Sequence, residues 1–415
     1  MKKWFAAGLI VLLLWLASPW AMAYETREEM RAAYRATDLF MADSPYAAAP
    51  KVTAPHSAGE LEPMAMEDAL AYLNFLRELA GVEPVGLSRI YNYQCQHGAA
   101  LLGALDYADH NAPRPADMDK NFYDSAHLAT TSSNLAKFNW MRPTILREGI
   151  EYFARDDGEA NLPLLGHRRW LLNPYMGETG FGLANSQAGL SYVVMYAHDF
   201  GNADAQWSEV CWPSAGAFPV ELMHAELAWS VMLNPEVYDA EHSRIEVVLS
   251  EETMGLEFRF DCSAGTGDGF CTVNFDRYGA GPCVIFRPDF GGIEFTDYLQ
   301  NQRWTVCVEG LRRIDGRDAS IEYSVDMCSL YVQEVVNVEI SMLEAQMRLG
   351  EELQLSAAVI PGYADDLSVQ WSSSDETVAL VDGLGRVTAV GPGACEIVVQ
   401  SANGRSDWCA LTVTE

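Results

Sequence analysis

The period of the apolar residues changes once along this chain, near residue 207, and that change restricts the architectures open to it. Upstream, apolar residues recur at spacings of three and four, as on a helix with one buried face. Leu70, Leu73, Leu76 and Ala80 mark such a face over residues 66–80, with Gly81 placed to cap it. A second helix is expected over about 88–105, with Ile90, His97, Leu101 and Ala104 on one face. A third is expected over about 143–155, opened by Pro143, with Leu146, Ile150 and Phe153 inward. Short strand-like runs follow at 180–184 and 191–197. Downstream, IEVVLS (245–250), LEFRF (256–260), CVIF (283–286), WTVCV (304–308) and IEYSV (321–325) alternate or are β-branched and are separated by turns. That is the pattern of a β-sandwich, and residues 335–415 repeat it as a separate unit. Helices followed by a few strands read as an α+β or layered αβα domain.

The first 23 residues read as a signal peptide. Lys2-Lys3 precede an uncharged run at 5–16, and Ala21-Met22-Ala23 supplies small residues for cleavage before Tyr24. Export to the extracellular space, with or without attachment to the cell envelope, is therefore expected. Residues 24–60 form a leader, a charged and partly helical piece (25–40) followed by a Pro/Ala-rich extended one. No other apolar run is long enough to span a bilayer, so no transmembrane anchor is expected. With 49% apolar and 20% charged residues the chain can bury a core, and its net charge of −31, spread along the sequence, repels nucleic acid and anionic membranes. A monomer is expected. Nine cysteines can pair outside the cytoplasm, leaving at least one free, and none lies in a CxxC motif. Cys271 with Cys283 and Cys395 with Cys409 flank turns and read as candidate disulfides. Gly265-Thr266-Gly267-Asp268-Gly269 reads as a hairpin loop, because no helix follows it.

Chemistry is expected between His110 and His167. His97 lies on an apolar stripe and reads as a core histidine, and His127 has no evident partner. His110 opens HNAPRP, which two prolines keep out of a regular helix. His167 lies in GHRRWLLNP, and SSNLA (132–136) and Asp156-Asp157 fall between the two. Three uses compete. His110, His167 and Asp156 could hold a divalent metal such as zinc. One histidine could act as base on Ser133 or Ser132, oriented by Asp156 or Asp157, although no GxSxG elbow is present. Third, the histidines could bond across a ligand cleft while Arg168 or Arg169 pairs with the two aspartates. The cleft set on this reading is His110, Ser133, Asn134, His167 and Arg168.

The run LNFLRELAG (73–81), His110, SNLA (133–136), GHRRWLLNP (166–174) and GFG (180–182), in that order, resembles the CAP superfamily (cysteine-rich secretory, antigen-5 and pathogenesis-related) over about 61–205, in its bacterial form. The resemblance implies a three-layer αβα sandwich with a cleft holding two histidines, matched here by His110 and His167. Ser133 stands where the family has a glutamate, and the second acid falls at Asp156 or Asp157. WSSSDETVALVDGLGRVTAVGPGACEIVV (371–399) closely resembles bacterial immunoglobulin-like domains of group 2, which implies a spacer or adhesion role. There Trp371, Val378, Val381, Val387 and Ile397 should fill the core, Gly383 and Gly385 the turn, and Asp375 and Asp382 bond their own backbone rather than calcium. The middle unit, 206–332, reads as an associated sandwich, whose Tyr278, Phe290 and Trp304 are expected in its core rather than on a carbohydrate-binding face.

Together these give a multi-domain chain, an αβα sandwich followed by two all-β immunoglobulin-like sandwiches. The expected function is extracellular binding through a histidine-lined cleft, the ligand an apolar small molecule or a cell-envelope component. The alternative is a metal-assisted, protease-like hydrolase using His110 and His167.

Overall fold

The computed structural model describes residues 24–415 apart from 41, 293, 294 and 296, so the signal-peptide reading lies outside the described residues. Six helices occupy the first half: α1 (Arg27–Arg35), α2 (Pro63–Leu79), α3 (Arg89–Leu105), α4 (Lys120–Thr131), α5 (Ile145–Arg155) and α6 (Gly166–Leu171). They pack about an antiparallel sheet of β1 (Ser133–Phe138), β2 (Phe181–Asn185) and β3 (Ser191–Tyr196), in the order β1-β3-β2. One face of this sheet, with Phe181, Leu183, Val193 and Met195, is buried with α2 and α5. The other, with Ala184, Tyr192 and Val194, is buried with α3 and α4. Every β3 residue is therefore buried or nearly so, as the central strand of a three-layer α/β arrangement must be.

The LNFLRELAG run has a local role. Asn74 Nδ2 donates to Val85 O (3.0 Å) and its Oδ1 accepts from Val85 N (2.8 Å), which fixes the chain after α2. Gly81 takes the left-handed conformation (φ +70°) that ends the helix. Arg77 is wholly buried and donates to the carbonyls of Glu83, Leu171, Asn173 and Met176, so α2 holds the end of α6. Burial lowers its pKa to about 9, and four carbonyls replace its water.

One detail departs from expectation. Ile90 does not face inward; it is 66% exposed. His127 sits on a regular helix, α4, capped by Asp119, whose side chain accepts from Asn121 N and Phe122 N. His97 is buried as expected, its Nδ1 on Tyr93 O (2.7 Å) and its ring against Phe122.

The leader does not stand apart. The Thr26–Glu29 capping box starts α1, which carries the buried Met30 into the main core, and Tyr24 stacks on Phe75.

The second unit is a sandwich. One sheet orders Gly269–Asn274, Cys283–Pro288, Trp229–Leu233 and Glu209–Trp212; the other runs from Thr266–Gly267 through Leu256–Asp261, Glu246–Glu251, Arg303–Arg312 and Asp318–Cys328 to Gly216–Pro219. The Gly265–Gly269 run, expected to be a hairpin loop, turns at Gly265, pairs Thr266–Gly267 with Phe260 and Asp261 as a short edge strand, and enters the other sheet at Gly269. Trp304 is fully buried and Phe290 stacks on Phe295 beside it, both core residues; Tyr278 is not. The α/β region and this sandwich share one continuous hydrophobic core.

Residues 335–415 form a second sandwich with a core of its own. Val378, Val387 and Ile397 are buried, whereas Val381 and Trp371 are half-buried at its edge. Of the two turn glycines Gly385 alone is left-handed (φ +78°), and a Cβ there would press on the Trp371 ring. Asp375 and Asp382 each accept from backbone amides two residues on, as turn residues do.

All nine cysteines are free thiols. In the hairpin holding Cys271 and Cys283, Cys271 pairs with Phe286 and Cys283 with Asn274, an odd offset that turns the two side chains to opposite faces. That corrects the expected parity. Cys409 lies opposite Ile397, two residues from Cys395, so that second pair does share a face.

Candidate functional site

The stretch from His110 to His167 closes on a cavity of about 380 Å³. His110, Thr131, Ser133, Asn134, Asn161 and His167 line it, with Trp170, His198 and Tyr278 at its sides. A larger cavity, about 550 Å³, lies between Pro84, Pro174 and Trp207; it takes in the ends of two motifs, Gly81 and Pro174, but none of the candidate site residues.

Helix termini position both motif histidines. His110 follows the end of α3, where Asp106 adopts a left-handed conformation (φ +61°) and turns the chain back. Its Nδ1 bonds Thr130 O (2.8 Å) while Thr130 Oγ1 donates to His110 O (3.1 Å), tying the loop to the end of α4. A carbonyl can only accept, so Nδ1 carries the proton and Nε2 keeps a lone pair.

The same logic governs His167. Helix α5 ends at Asp156, also left-handed (φ +49°), and its fully buried carboxylate collects four hydrogen bonds. Oδ1 accepts from His167 Nδ1 (2.9 Å) and Asn161 Nδ2 (2.9 Å); Oδ2 accepts from the backbone amides of His167 (3.0 Å) and Arg168 (3.3 Å). Asn134 Nδ2 donates to His167 O (2.9 Å). His167 is therefore also protonated on Nδ1, and both motif imidazoles keep a bare Nε2.

The remaining candidates fall as follows. Asp157 is exposed and bonds neither histidine, so Asp156 is the orienting acid. Ser133 lines the cavity, but its Oγ lies against Cys95 Sγ (3.7 Å), not an imidazole. Burial pushes that thiol up to about 12, so it stays protonated and gives the serine no base. Arg168 is corrected on two counts. It is buried beneath the cleft rather than lining it, and its guanidinium donates to carbonyls rather than to the aspartates: Ala154 O (2.6 Å), Arg155 O (2.7 Å) and Ala228 O (2.7 Å). Arg169 likewise bonds Leu164 O, Asn274 Oδ1, Asp276 O and Gly281 O. These two arginines fasten the sandwich to the α/β region. Among the described residues no three His, Cys, Asp or Glu side chains gather as a metal-holding set. The four hydrogen bonds on Asp156 occupy the carboxylate such a set would need.

The motifs pass over His198, Asn161 and Tyr278, and Trp170, inside GHRRWLLNP, was not singled out as a site residue. His198 stacks on Trp170 (4.2 Å between centroids), and its amide, like that of Ala197, bonds Ser132 O. Burial of its ring and, second, the neighbouring His110 lower its pKa. Its position one residue past the 191–197 run was the available signal, since strand ends carry site residues. Tyr278 left none, because it comes from another module.

Residues 334–410 match the model for the bacterial Ig-like domain (group 2). The chain is 44% identical over 69 residues to a lacto-N-biosidase of Bifidobacterium bifidum. It is 42% identical over 74 residues to a 3-O-alpha-D-galactosyl-alpha-L-arabinofuranosidase of Bifidobacterium longum. Each match covers 17% of this chain and 6% of the relative's length. Among solved structures, an intimin fragment in complex with the translocated intimin receptor is 15% identical, covering 45% of this chain and 58% of that one, with a TM-score of 0.15. Domains 4 and 5 of the S-layer protein SbsC are 13% identical, covering 40% and 95%, with a TM-score of 0.19. The chain thus joins an α/β region to all-β sandwiches, and its C-terminal module is a bacterial immunoglobulin-like domain of group 2.

Proposed function

We propose that this is an exported bacterial binding protein whose α/β module holds a small polar molecule between His110 and His167. The immunoglobulin-like module serves as its spacer or adhesion unit at the cell surface. The layering about β1–β3 and the placement of His110 and His167 at one cleft support the CAP-like reading of residues 61–205. One observation carries the proposal: two histidines 57 positions apart in sequence are locked in the same tautomer at the wall of one cavity. Rings held this firmly are preorganised for recognition. The hydroxyl, amide and imidazole groups of the lining interrupt a mostly apolar surface, so the ligand must offer polar groups as well as apolar faces.

The test is a screen of metabolite-sized compounds against the full chain, followed through the imidazole NMR signals of His110 and His167. Ligands should shift both rings, and His110→Ala with His167→Ala should abolish their binding. A screen in which no compound moves either ring would refute the proposal. Elemental analysis of the same samples addresses the metal-assisted hydrolase: stoichiometric zinc lost in both variants would favour that reading instead.

A further inference from the structure

We propose that the second module completes the cleft. Tyr278, on the loop between strands Gly269–Asn274 and Cys283–Pro288, sets its specificity, and its occupant is an uncharged polyhydroxyl molecule, a saccharide unit. This rests on the binding reading above and adds a residue and a ligand class to it.

The position of Tyr278 is built rather than incidental. Arg169 reaches out of α6 to Asn274 Oδ1 (2.5 Å), Asp276 O (2.8 Å) and Gly281 O (2.9 Å), gripping both ends of the loop, and its guanidinium lies 5.6 Å from the Tyr278 ring centre. Gly166 lets the ring approach: a Cβ there would stand 3.1 Å from two ring carbons. Gly279 is left-handed (φ +61°), and a Cβ on it would strike the Arg169 carbonyl. The loop thus meets α6 at two glycines and one arginine. Tyr278 lines the cleft, where its hydroxyl can donate to or accept from a ligand.

Charge selects the ligand class. In a chain of net charge −31, the cleft lining contains no Asp, Glu, Lys or Arg. A cation finds no counter-charge there. An anion finds none either while the imidazoles are neutral, and His198 is held neutral further into the acid range by burial and by His110. The bare Nε2 atoms of His110 and His167 are acceptors and call for donors on the ligand. Tyr278, Ser133, Asn134 and Asn161 can each donate or accept. Sugar hydroxyls do both, and the rings of Trp170 and Tyr278 offer surface for the C–H faces of a sugar.

Saturation-transfer NMR on the full chain at pH 7.5 provides the test, with an N-acetylglucosamine trisaccharide, maltotriose, citrate and zinc as probes. At least one saccharide should receive saturation, and Tyr278→Phe, which keeps the ring and its docking, should weaken that saccharide about fivefold or more. His110→Ala should remove it, and the thermal midpoint of Tyr278→Phe should stay at the wild-type value. Saccharide binding that Tyr278→Phe leaves unchanged would overturn the role given to Tyr278 while leaving the histidine cleft standing. Transfer to neither saccharide, or binding of citrate or zinc alone that depends on His110, would overturn the ligand class and again spare the binding reading.

Discussion

Asp156 shows how far the site could be read before folding. The pair Asp156-Asp157 was legible as an acidic position near His167, but the choice between them depends on which residue ends α5. Helix ends are set by tertiary fit, and nothing local separates two adjacent aspartates. Asp156 takes the left-handed position and turns inward, whereas Asp157 faces solvent. Replacing Asp156 with Ala strands four donors and should destabilise the chain by about 3 kcal/mol in urea unfolding, against less than about 0.5 kcal/mol for Asp157→Ala. Equal effects would remove Asp156 from its assigned role. Titration gives a second prediction. Burial lowers the pKa of His97 and of His198, so each binds a proton more readily unfolded than folded. Their contribution is complete above the ordinary histidine value and is lost as pH falls through the lowered folded value. Asp199 acts in a separate window. Burial raises its carboxyl, but amides of Glu178, Gly177 and Gly201 and the Tyr91 hydroxyl outweigh burial and hold it below the usual carboxylate value. Its contribution is lost only in stronger acid. The thermal midpoint should fall from pH 7 toward pH 5, and His97→Gln should flatten that part of the curve.

At the scale of elements, the GFG run explains why the motifs were informative at all. A Cβ on Gly180 would collide with the backbone of Tyr91 and Asn92, and one on Gly182 with that of Cys95 and Gln96. Those glycines let α3 lie directly on β2, where Asn92 Oδ1 and Gln96 Oε1 accept from the amides of Phe181 and Leu183. Gly182→Ala should therefore cost about 3 kcal/mol by forcing the helix off the sheet, measurable as a fall in the urea midpoint. No change would show that α3 can shift at small cost. Helices α2 and α5 were legible because each buries one stripe, whereas α3 is buried on every side from Cys95 to Gly103 and was legible as a long apolar run. Helix α4 was not: three of its twelve residues are buried, too few to show a period. Ile90 marks the opposite error, an apolar residue on the expected stripe that faces solvent.

For the whole molecule, the apolar period indicated three folded units, but the main core does not respect the first boundary. One hydrophobic core runs through both the α/β region and the sandwich, a smaller one lies between the sheet and α3 and α4, and the immunoglobulin-like module has its own. The first core crosses from the α/β region into the sandwich through Arg168, which lies 5.9 Å from the Trp212 ring and bonds the carbonyl of Ala228. Sequence periodicity reports how each strand or helix faces a core, not whose core it is, so this sharing could not be read from it. The last module is joined instead by polar contacts. Arg31 on α1 is 3% exposed; it donates to Ser329 O (2.8 Å) and Tyr331 O (2.7 Å) and forms an ion pair with Asp365 (2.5 Å), which also accepts from Gln300 Nε2 (2.6 Å). Hydrogen bonds to a buried guanidinium hold orientation more than they add stability, because desolvation offsets much of the attraction. Calorimetry of the full chain should then show two transitions, one for the shared core and one for the last module. Asp365→Ala leaves the buried Arg31 guanidinium without its counter-charge and should cost the first transition about 3 kcal/mol, while the midpoint of the last module stays within about 2 °C. The same change should increase the maximum dimension measured by small-angle X-ray scattering, as the module swings free on residues 332–336. A single transition would mean that the last module does not unfold independently, and an unchanged dimension would mean that Asp365 does not hold it in place.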